Sequence, residues 1–375
     1  MTRNKIKVLQ VNLDGRGGAY SLMRSIQDRI SSDVQFDYYS MGNFNKSELS
    51  LLSECGSFVE DANLRTNRLF GHLLLPFSFR SFLKQSQAYD VVHIHADLAW
   101  KALLFAIPAK KENISKIIIH SHASAPNGDH AGLKYILHYA AKSILPYYSN
   151  IFVACSSLAR EWMFPKSIIP RVNLLFNGVD LSAYGYSEID RRRIRAELGI
   201  CNNELLIGVV GDYSPVKNFP FALTLLEILN QRGISSKLIV IGDGEGRASF
   251  QNLVNDSEYR DDVYLAGSLT NVSPYYSAMD YFIMPSFAEG MPMSALEAQA
   301  SGVHCLFSAN ISNEVAILPT SSFLPIDKGP EPWLSAFISS MYTKFDRSSA
   351  PDILKQAGFD ICDTAVKIKE IYENF

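Results

Sequence analysis

Two glutamates eight residues apart stand in the segment FAEGMPMSALEAQASG at 287–302. Glu289 lies in a turn rich in glycine and proline, and Glu297 lies about one turn into the helix that follows. Carboxylates accept paired hydrogen bonds from vicinal hydroxyls, such as those of a ribose or hexose. The backbone N–H groups of Gly290 and Met291, at a helix N-terminus, suit a diphosphate. The segment predicts a site for a sugar nucleotide, with two solvated surface glutamates as the alternative.

Lys217 belongs to a second segment of this kind, GDYSPVKN at 211–218, between an apolar run and a helical pattern. A lysine near a helix start is well placed to meet a phosphate, because backbone N–H groups and the helix dipole favour anions there. An exposed loop lysine is the alternative. A third segment, GDGEG at 242–246, also follows an apolar run and is either a plain turn or part of the same sheet edge.

A glycine loop, GRGG at 15–18, separates the first apolar run from a helical pattern. Glycines let the backbone approach a ligand, and the helix N-terminus favours an anion or a hydroxyl-rich group. A tight turn without a ligand fits equally well. The loop is not a dinucleotide-binding GxGxxG fingerprint, because the third glycine is missing.

Four histidines, His93, His95, His120 and His122, stand at the ends of two apolar runs. The carboxyl ends of parallel strands line the ligand crevice, where a histidine can donate to substrate oxygens or move a proton. Alternation along a strand puts His93 and His95 on one face, and likewise His120 and His122. We expect at least two of the four to be structural. No aspartate or glutamate at suitable spacing supports a metal site, and we predict none.

Short apolar runs alternate with helical patterns along the chain. The runs lack period-two alternation, as strands covered on both faces do. The predicted strands are 6–11, 91–94, 117–119, 151–154, 172–175, 205–210, 238–241, 263–266, 281–284 and 303–307. Helical segments between them include 18–30, 132–144, 219–231 and 292–300. This repetition predicts an α/β fold with parallel sheets and right-handed crossovers.

The strand–helix pattern restarts once, after a turn-rich and charged stretch at 177–200. The length of 375 residues also favours two domains. We therefore predict an N-terminal domain at 1–182 and a C-terminal domain at 183–358. The last segment, 359–375, reads as a helix that packs back toward the N-terminal domain.

Composition narrows the class of protein. A net charge of −3 gives no reason to expect a nucleic-acid partner. The five cysteines are scattered and odd in number, as expected for a reducing compartment rather than a disulfide framework. The N-terminus lacks a signal-peptide core, and no stretch is apolar enough to span a membrane. We expect a soluble cytoplasmic protein that is able to touch the inner face of the membrane.

The stretch 64–84, LRTNRLFGHLLLPFSFRSFLK, mixes aromatic, leucine and basic residues. One interpretation is a surface that docks on an anionic membrane carrying a lipid-linked acceptor. The other is a pair of helices packed on the N-terminal domain.

The order and spacing of these segments resemble those of the retaining glycosyltransferases of family 4, which have the GT-B fold of two Rossmann-like domains facing across a cleft. The resemblance runs nearly end to end. It is carried by GRGGAY, DVVHIHAD, HSHAS, ACSSLAREWMF, NGVD, SPVKN, VIGDGEG, AGSLTNVSPYYSAMDYFIMPS and the run from Glu289 to Glu297. The segments HSHAS and SNEVAILP are most similar to the bacterial branch that builds capsular or exopolysaccharide.

The resemblance implies a role for each matching residue. Glu297 would bind the donor ribose, and Glu289, with the backbone of Gly290 to Met293, would hold the donor sugar and the phosphates. Lys217 would stabilise the leaving diphosphate, and His122 would lie near the donor sugar. The implied catalytic set is His122, Lys217 and Glu289. The implied donor-binding set is Gly17, Gly18, Gly211, Asp212, Lys217, Gly242, Leu269, Asn271, Val272, Glu289, Gly290, Met291, Pro292, Met293, Ser294 and Glu297.

Asp212 departs from the family pattern. The family usually has an arginine there, directly after the glycine, and a lysine five residues later. An aspartate would repel the diphosphate that the arginine helps to neutralise. Either Asp212 turns outward and another cation substitutes, or the enzyme is weak or depends on a partner chain.

The expected activity is transfer of a hexose or N-acetylhexosamine from a UDP-sugar to a saccharide or lipid-linked acceptor, with retention of configuration. We expect no metal or other cofactor to be required. The sequence does not decide whether the protein forms a homo- or hetero-oligomer. The main alternative is a catalytically impaired subunit that binds a sugar nucleotide beside another glycosyltransferase. A nicotinamide-dependent oxidoreductase or a sugar-nucleotide epimerase is disfavoured by the missing GxGxxG.

Overall fold

A computed structural model describes residues 5–42, 44–64, 68–86, 88–124 and 131–374. Its internal contacts divide the protein into two units. The first comprises Met1–Gly178 and Ile361–Phe375, and the second comprises Val179–Asp360.

The described part of the first unit forms one parallel sheet with helices between its strands. Its strands are β1 (Ile6–Val11), β2 (Val34–Ser40), β3 (Val59–Asp61), β4 (Val91–Ala96), β5 (Lys116–Ser121), β6 (Ile151–Ala154) and β7 (Val172–Leu174). Its first six helices are α1 (Gly18–Ile30), α2 (Lys46–Glu54), α3 (Arg68–Gln85), α4 (Ala99–Lys111), α5 (Ala131–Ile144) and α6 (Ser157–Met163). The strand order is β3-β2-β1-β4-β5-β6-β7.

The second unit repeats this architecture with a smaller sheet. Its strands are β8 (Leu205–Val210), β9 (Ser236–Ile241), β10 (Val263–Gly267), β11 (Tyr281–Met284), β12 (His304–Ser308) and β13 (Ser321–Leu324). Its helices are α7 (Leu181–Tyr184), α8 (Glu188–Glu197), α9 (Phe219–Gln231), α10 (Arg247–Asp256), α11 (Ser273–Ala278), α12 (Met293–Ala300), α13 (Glu331–Ser340) and α14 (Ala350–Gln356). The strand order is β10-β9-β8-β11-β12-β13, and all pairs are parallel.

In each sheet, the side on which successive strands are added changes once. The reversal falls between β1 and β4 in the first unit and between β8 and β11 in the second. At such a switch point the loops diverge to opposite faces and open a crevice at the carboxyl ends of the strands, where α/β proteins bind ligands. The loops after β1, β8 and β11 contain the glycine segments at 15–18 and 211–218 and the glutamate segment at 287–302.

The central strands are apolar because helices cover both faces of each sheet. All six residues of β4 are buried, and the buried core of the second unit includes Leu226, Trp333 and Phe337 from α9 and α13. The predicted α/β class, with two Rossmann-like domains of parallel strands, is confirmed.

The last helix, α15 (Ile361–Asn374), belongs to the first unit and packs on α1. Its Tyr372 is fully buried and its ring meets Phe36 edge-on at 5.9 Å between centroids. A buried aromatic residue near the end of the protein thus completes the core of the first unit.

The stretch at 64–84 contains one long helix, α3, rather than a pair of helices, although residues 65–67 lie outside the described residues. The helix packs on α4 and contains Pro76. None of the helices in the described parts of the chain is both long and apolar enough to cross a bilayer.

Candidate functional site

Lys217 and Glu289 meet at the switch point of the second sheet. Lys217 ends a short 3-10 turn after β8, and Glu289 lies in the loop after β11. Two bonds join these loops: the N–H of Phe287 donates to the carbonyl of Val216 (2.8 Å), and the Asn218 side chain donates to the carbonyl of Pro285 (3.2 Å). The Lys217 Nζ lies 2.7 Å from Glu289 Oε1, and both side chains are less than one-fifth exposed.

This ion pair places a positive charge at the carboxyl ends of the strands of the second sheet. The contact of the lysine ammonium with Glu289 is an ion pair, and the ammonium has N–H donors that can bind another anion. Because both groups are largely removed from water, losing either partner leaves the other charge poorly solvated. The pair therefore keeps the lysine in place before a ligand arrives.

Gly242 lets the loops after β8 and β9 touch. Its φ is 142°, and a Cβ added there would lie 1.8 Å from the carbonyl oxygen of Gly211. A larger residue would push the loops apart. Gly211 is itself in contact with Lys217, since an added Cβ would lie 3.1 Å from the lysine Cε.

Asp212 is exposed and accepts a hydrogen bond from the hydroxyl of Ser214 (2.8 Å). The side chain is thus turned toward solvent. Arg247, the first residue of α10, supplies another positive charge at this edge of the sheet. Its guanidinium nitrogens would lie 3.4 and 3.6 Å from a Cβ placed on Gly267, and Nη1 lies 3.8 Å from Asp243.

Glu297 lies in the second turn of α12 and is partly buried. The hydroxyl of Tyr276 donates to its Oε2 (2.9 Å), and the hydroxyl of Tyr184 also donates to the carboxylate. Burial raises the pKa of Glu297 above its ordinary value, while these two hydroxyls act in the opposite direction. Glu289 and Glu297 therefore have different partners.

The segment between the two glutamates approaches the N-terminus of α12. Gly290 and Met291 are buried, and Pro292 is the N-cap residue, so the helix begins at Met293 rather than at 292. A proline has no N–H, and Pro292 therefore shapes the turn without donating to an anion. The first-turn amides belong to Met293 and Ser294, in the orientation that favours anions.

The loop after β10 contains Leu269, Asn271 and Val272. Leu269 and Val272 are partly buried, whereas Asn271 is exposed. The Asn271 side chain accepts a hydrogen bond from the N–H of Ser273 (3.1 Å). This turn leads directly into α11, whose Tyr276 holds Glu297.

The glycine loop of the first unit ends at its switch point. Gly17 is exposed, has φ 83° and precedes α1, and no atom of the described residues lies within 4 Å of a Cβ placed on it. Gly18 is the exposed first residue of α1. The Asn12 side chain donates to the carbonyl of His95 (2.7 Å), which ties the loop after β1 to the end of β4.

The four predicted histidines form one cluster with two further residues of the first unit. His93, His95 and His120 are buried, while His122 is partly exposed just after β5. The two further residues are Gln10 and Tyr372, and hydrogen bonds join all six side chains. The distances are 2.9 Å from His122 Nε2 to His95 Nδ1, 2.8 Å from His95 Nε2 to Gln10 Oε1, 3.2 Å from Gln10 Nε2 to the Tyr372 hydroxyl, 2.7 Å from that hydroxyl to His93 Nδ1, and 3.2 Å from His93 Nε2 to His120 Nδ1.

Burial keeps all four imidazoles neutral. It lowers the pKa of His122 from 6.5 to about 4. Burial, followed by the neighbouring imidazoles, also lowers the pKa values of His93, His95 and His120 well below the ordinary range.

His93, His95 and His120 also form a group whose ligand atoms lie within 4.8 Å of one another. Of their ring nitrogens, however, those of His93 and His95 and the Nδ1 of His120 are already in hydrogen bonds. A metal ion would have to displace these bonds, so the geometry favours a hydrogen-bonded cluster.

Several residues of the candidate site are not among those predicted from the sequence. Gln10 was a polar residue inside an apolar strand, IKVLQV, which is a usable signal. Tyr184 and Tyr276 have no such signal in the sequence, because tyrosines are common in turns and helices. Tyr372 lies 279 residues from the His93 that it contacts, and only the fold brings the two together.

Comparison with known proteins finds a family match over the part of the chain that contains the candidate site. Residues 190–320, which hold Lys217, Glu289 and Glu297, match the family model of group 1 glycosyl transferases. Together with the two parallel Rossmann-like sheets, this match supports a GT-B glycosyltransferase.

The relatives are bacterial. Over 330 residues the chain is 28% identical to the "Putative glycosyltransferase EpsF" of Bacillus subtilis (strain 168), covering 84% of this chain and 82% of that protein. It is 24% identical to the Escherichia coli "UDP-Gal:alpha-D-GlcNAc-diphosphoundecaprenol alpha-1,3-galactosyltransferase", covering 77% and 76%. Further relatives are named for capsule and teichuronic acid biosynthesis. The predicted resemblance to this polysaccharide-building branch is confirmed.

A solved structure shares the fold over its whole length. Anabaena Alr3699/HepE in complex with UDP-glucose superposes with a TM-score of 0.79 at 17% identity, covering 99% of this chain and 100% of that one. At this identity the likeness concerns the fold alone.

Proposed function

We propose that the protein transfers a hexose or N-acetylhexosamine from a UDP-sugar to a saccharide or lipid-linked acceptor, with retention of anomeric configuration and without a metal. The observation that carries the proposal is the Lys217–Glu289 pair at the switch point of the second sheet, where the loop leads into α12 and Glu297.

The donor nucleotide is assigned to the second unit. Glu297 accepts hydrogen bonds from the two ribose hydroxyls, because its carboxylate is already oriented by the hydroxyls of Tyr276 and Tyr184. The loop of Leu269, Asn271 and Val272 frames the base. A relative named for UDP-Gal and a fold neighbour holding UDP-glucose support a uridine nucleotide.

The diphosphate is assigned to Lys217 and to the first-turn amides of α12. The leaving group gains charge as the glycosidic bond breaks, so a fixed ammonium and aligned N–H groups stabilise the transition state more than the ground state. Arg247 at the same sheet edge is the cation that offsets the absent arginine at Asp212. Glu289 holds the donor sugar once the diphosphate shares the ammonium.

The remaining roles belong to the first unit. Gly17 and Gly18 are exposed at the start of α1, which suits an acceptor or a phosphate. His122 is neutral and partly exposed, so it exchanges hydrogen bonds with a sugar hydroxyl without adding charge. These positions support a catalytic mechanism based on positioning and electrostatics.

The test is transfer by the purified protein, with Lys217→Ala as the variant. We expect kcat to fall by about 10²- to 10³-fold, as when one fixed charge-stabilising donor is lost. Lys328→Ala, which removes an exposed lysine of the same unit, should act as wild type. Because Lys217→Ala strands Glu289, the double variant with Glu289→Gln should recover thermal stability but not activity. Wild-type turnover by Lys217→Ala would refute the assignment.

A second candidate is a subunit that binds a sugar nucleotide but needs a partner glycosyltransferase. Asp212, in place of the family arginine, favours it. The same purified protein separates the two functions, since donor binding without hydrolysis or transfer would favour the partner role.

We also propose contact with an anionic membrane surface that carries a lipid-linked acceptor. Helix α3 exposes Leu73, Leu74 and Phe77, and the neighbouring α4 ends in the exposed lysines Lys110 and Lys111. Apolar side chains beside lysines suit the interface of an anionic bilayer. The lipid-linked acceptor in the name of the Escherichia coli relative supports this choice.

A further inference from the structure

The six-residue cluster around Gln10, here called the Gln10 network, forms one unbranched series of hydrogen bonds. In spatial order its members are His122, His95, Gln10, Tyr372, His93 and His120. His122 is the partly exposed end, and the other members are buried. His95, Gln10 and His93 each use two atoms, one toward each neighbour, and Tyr372 uses its hydroxyl oxygen toward both, so the position of one proton fixes all the others.

Gln10 sets the direction of this series, because its two side-chain atoms are not equivalent. A carboxamide oxygen only accepts and a carboxamide nitrogen only donates. The oxygen lies toward His95 Nε2 at 2.8 Å, so His95 carries its proton on Nε2. A neutral imidazole then has a bare Nδ1, which accepts from His122 Nε2–H at 2.9 Å.

The other half of the network follows the same direction. The Gln10 nitrogen donates to the Tyr372 oxygen (3.2 Å), so the single hydroxyl proton of Tyr372 goes to His93 Nδ1 (2.7 Å). His93 then donates from Nε2 to His120 Nδ1 (3.2 Å). The last proton sits on His120 Nε2, which is buried and has no hydrogen-bond partner among the described residues.

Such a network is costly for a sheet face that could be filled by apolar residues. A buried N–H without a partner destabilises the fold, and five buried polar side chains must be desolvated. The benefit lies at the exposed end. From the direction of the series we infer that Gln10 is a positioning residue that holds His122 in the Nε2–H tautomer, so that its bare Nδ1 accepts a hydrogen bond from a substrate hydroxyl.

The inference rests on the proposed function only for the identity of the substrate. The tautomer itself belongs to the free protein. A histidine held as an acceptor selects a sugar that presents a hydroxyl, and it rejects one that presents only an acceptor such as a carbonyl or ether oxygen.

The direct test is nitrogen NMR of the wild-type protein labelled with ¹⁵N in histidine, with His122 assigned by the signal missing in His122→Asn. We expect a protonated Nε2 and an unprotonated Nδ1 for His122 at neutral pH. A proton on Nδ1 would mean that the series runs the other way, and it would overturn the inference. Because no turnover is needed, this result stands even if the proposed transfer fails.

Three substitutions test the role of Gln10. Gln10→Leu removes the anchor, so His122 should show both tautomers and kcat should fall by about 10- to 100-fold with the donor KM nearly unchanged. Gln10→Glu still accepts from His95 Nε2–H, so the tautomer and most of kcat should return. Gln27→Leu is the matched control, because Gln27 is a buried, hydrogen-bonded glutamine of the same unit outside the network.

The control separates positioning from folding. Gln27→Leu should lower the melting temperature and leave both the His122 tautomer and kcat unchanged. If Gln10→Leu leaves the tautomer mixture and kcat at wild-type values, or if Gln27→Leu alters them as strongly, Gln10 has no positioning role.

Discussion

Glu297 keeps its carboxylate in surroundings that oppose a charge. Burial raises its pKa, and the hydroxyls of Tyr276 and Tyr184 offset only part of that effect. A buried carboxylate of this kind lowers the stability of the ligand-free protein, but it can bind a ligand that supplies hydrogen-bond donors. The same reasoning applies to Lys217, which is held by its ion pair with Glu289 and has N–H donors for a ligand.

The substitution Glu297→Gln should therefore separate binding from stability. Loss of charged hydrogen bonds to a ribose, worth about 1.5–3 kcal/mol, should weaken UDP-sugar binding by about 10- to 100-fold in calorimetry. A carboxyl whose pKa is raised by folding stabilises the fold when protonated, and that contribution is lost as the pH rises through the folded pKa. At pH 8 the variant should thus melt no lower than wild type.

Glu258→Gln is the control for this comparison, since Glu258 is an exposed glutamate of the same unit and should change neither property. Wild-type affinity in Glu297→Gln would exclude the ribose role. A melting temperature several degrees lower would show instead that the carboxylate supports the fold.

The residue types in the sequence indicated the chemistry of the site, whereas the contacts between site residues could be seen only in the folded structure. The glutamates, the lysine and the histidines were selected from their positions after apolar runs. The pairing of Lys217 with Glu289 spans 72 positions of sequence, and no local pattern encodes it. The protonation of His122 depends on Gln10, which is 112 positions away, through an intervening histidine.

At the scale of elements, the strands with continuous apolar runs were predictable, whereas β2, β3 and β13 were not. The patterns at 6–11, 151–154, 205–210 and 281–284 coincide with β1, β6, β8 and β11. In contrast, β2 (VQFDYYS) escaped because polar residues interrupt it. Its Asp37 is buried inside the strand, where it accepts from the Phe58 N–H and the Tyr89 hydroxyl. The edge strand β13 (SSFL) is short and only partly buried.

Helix α3 gives a prediction at this scale. Leu73 and Phe77, four residues apart on one face, are 67% and 75% exposed. If they insert into a bilayer surface, each contributes about 1.5–3 kcal/mol, so Leu73→Ser and Phe77→Ser should each lower vesicle binding by about ten-fold or more. Sedimentation with phosphatidylglycerol vesicles, compared with phosphatidylcholine vesicles, measures the effect.

Tyr342→Ser is the matched control, because Tyr342 in the second unit is 85% exposed and should not affect vesicle binding. Failure of the wild-type protein to sediment with phosphatidylglycerol would rule out the membrane surface. Equal sedimentation with both lipids would rule out the role of charge.

At the scale of the whole molecule, the two units contain titratable groups whose effects on stability respond in opposite directions to a change in pH. In the first unit, His93, His95, His120 and His122 are kept neutral by burial. In the second unit, Glu297 has a raised pKa, which acts in the opposite direction as the pH falls. The second unit also contains His304, whose pKa is lowered by burial, but it holds no comparable group of histidines among its residues.

Acid should therefore weaken the first unit more than the second. The folded histidines have lowered pKa values, so their contribution to stability is present above the unfolded pKa of 6.5 and is lost as the pH falls toward the folded value, which is about 4 for His122. Each such histidine costs about 1.4 kcal/mol per pH unit in that window. Hydrogen exchange at pH 7.5 and 5.5, corrected for intrinsic rates, should show peptides of β4 and β5 losing protection while those of β8 and β11 keep most of theirs. Equal losses in both units would mean that the buried histidines are already charged in the fold, and that the Gln10 network does not hold neutral rings.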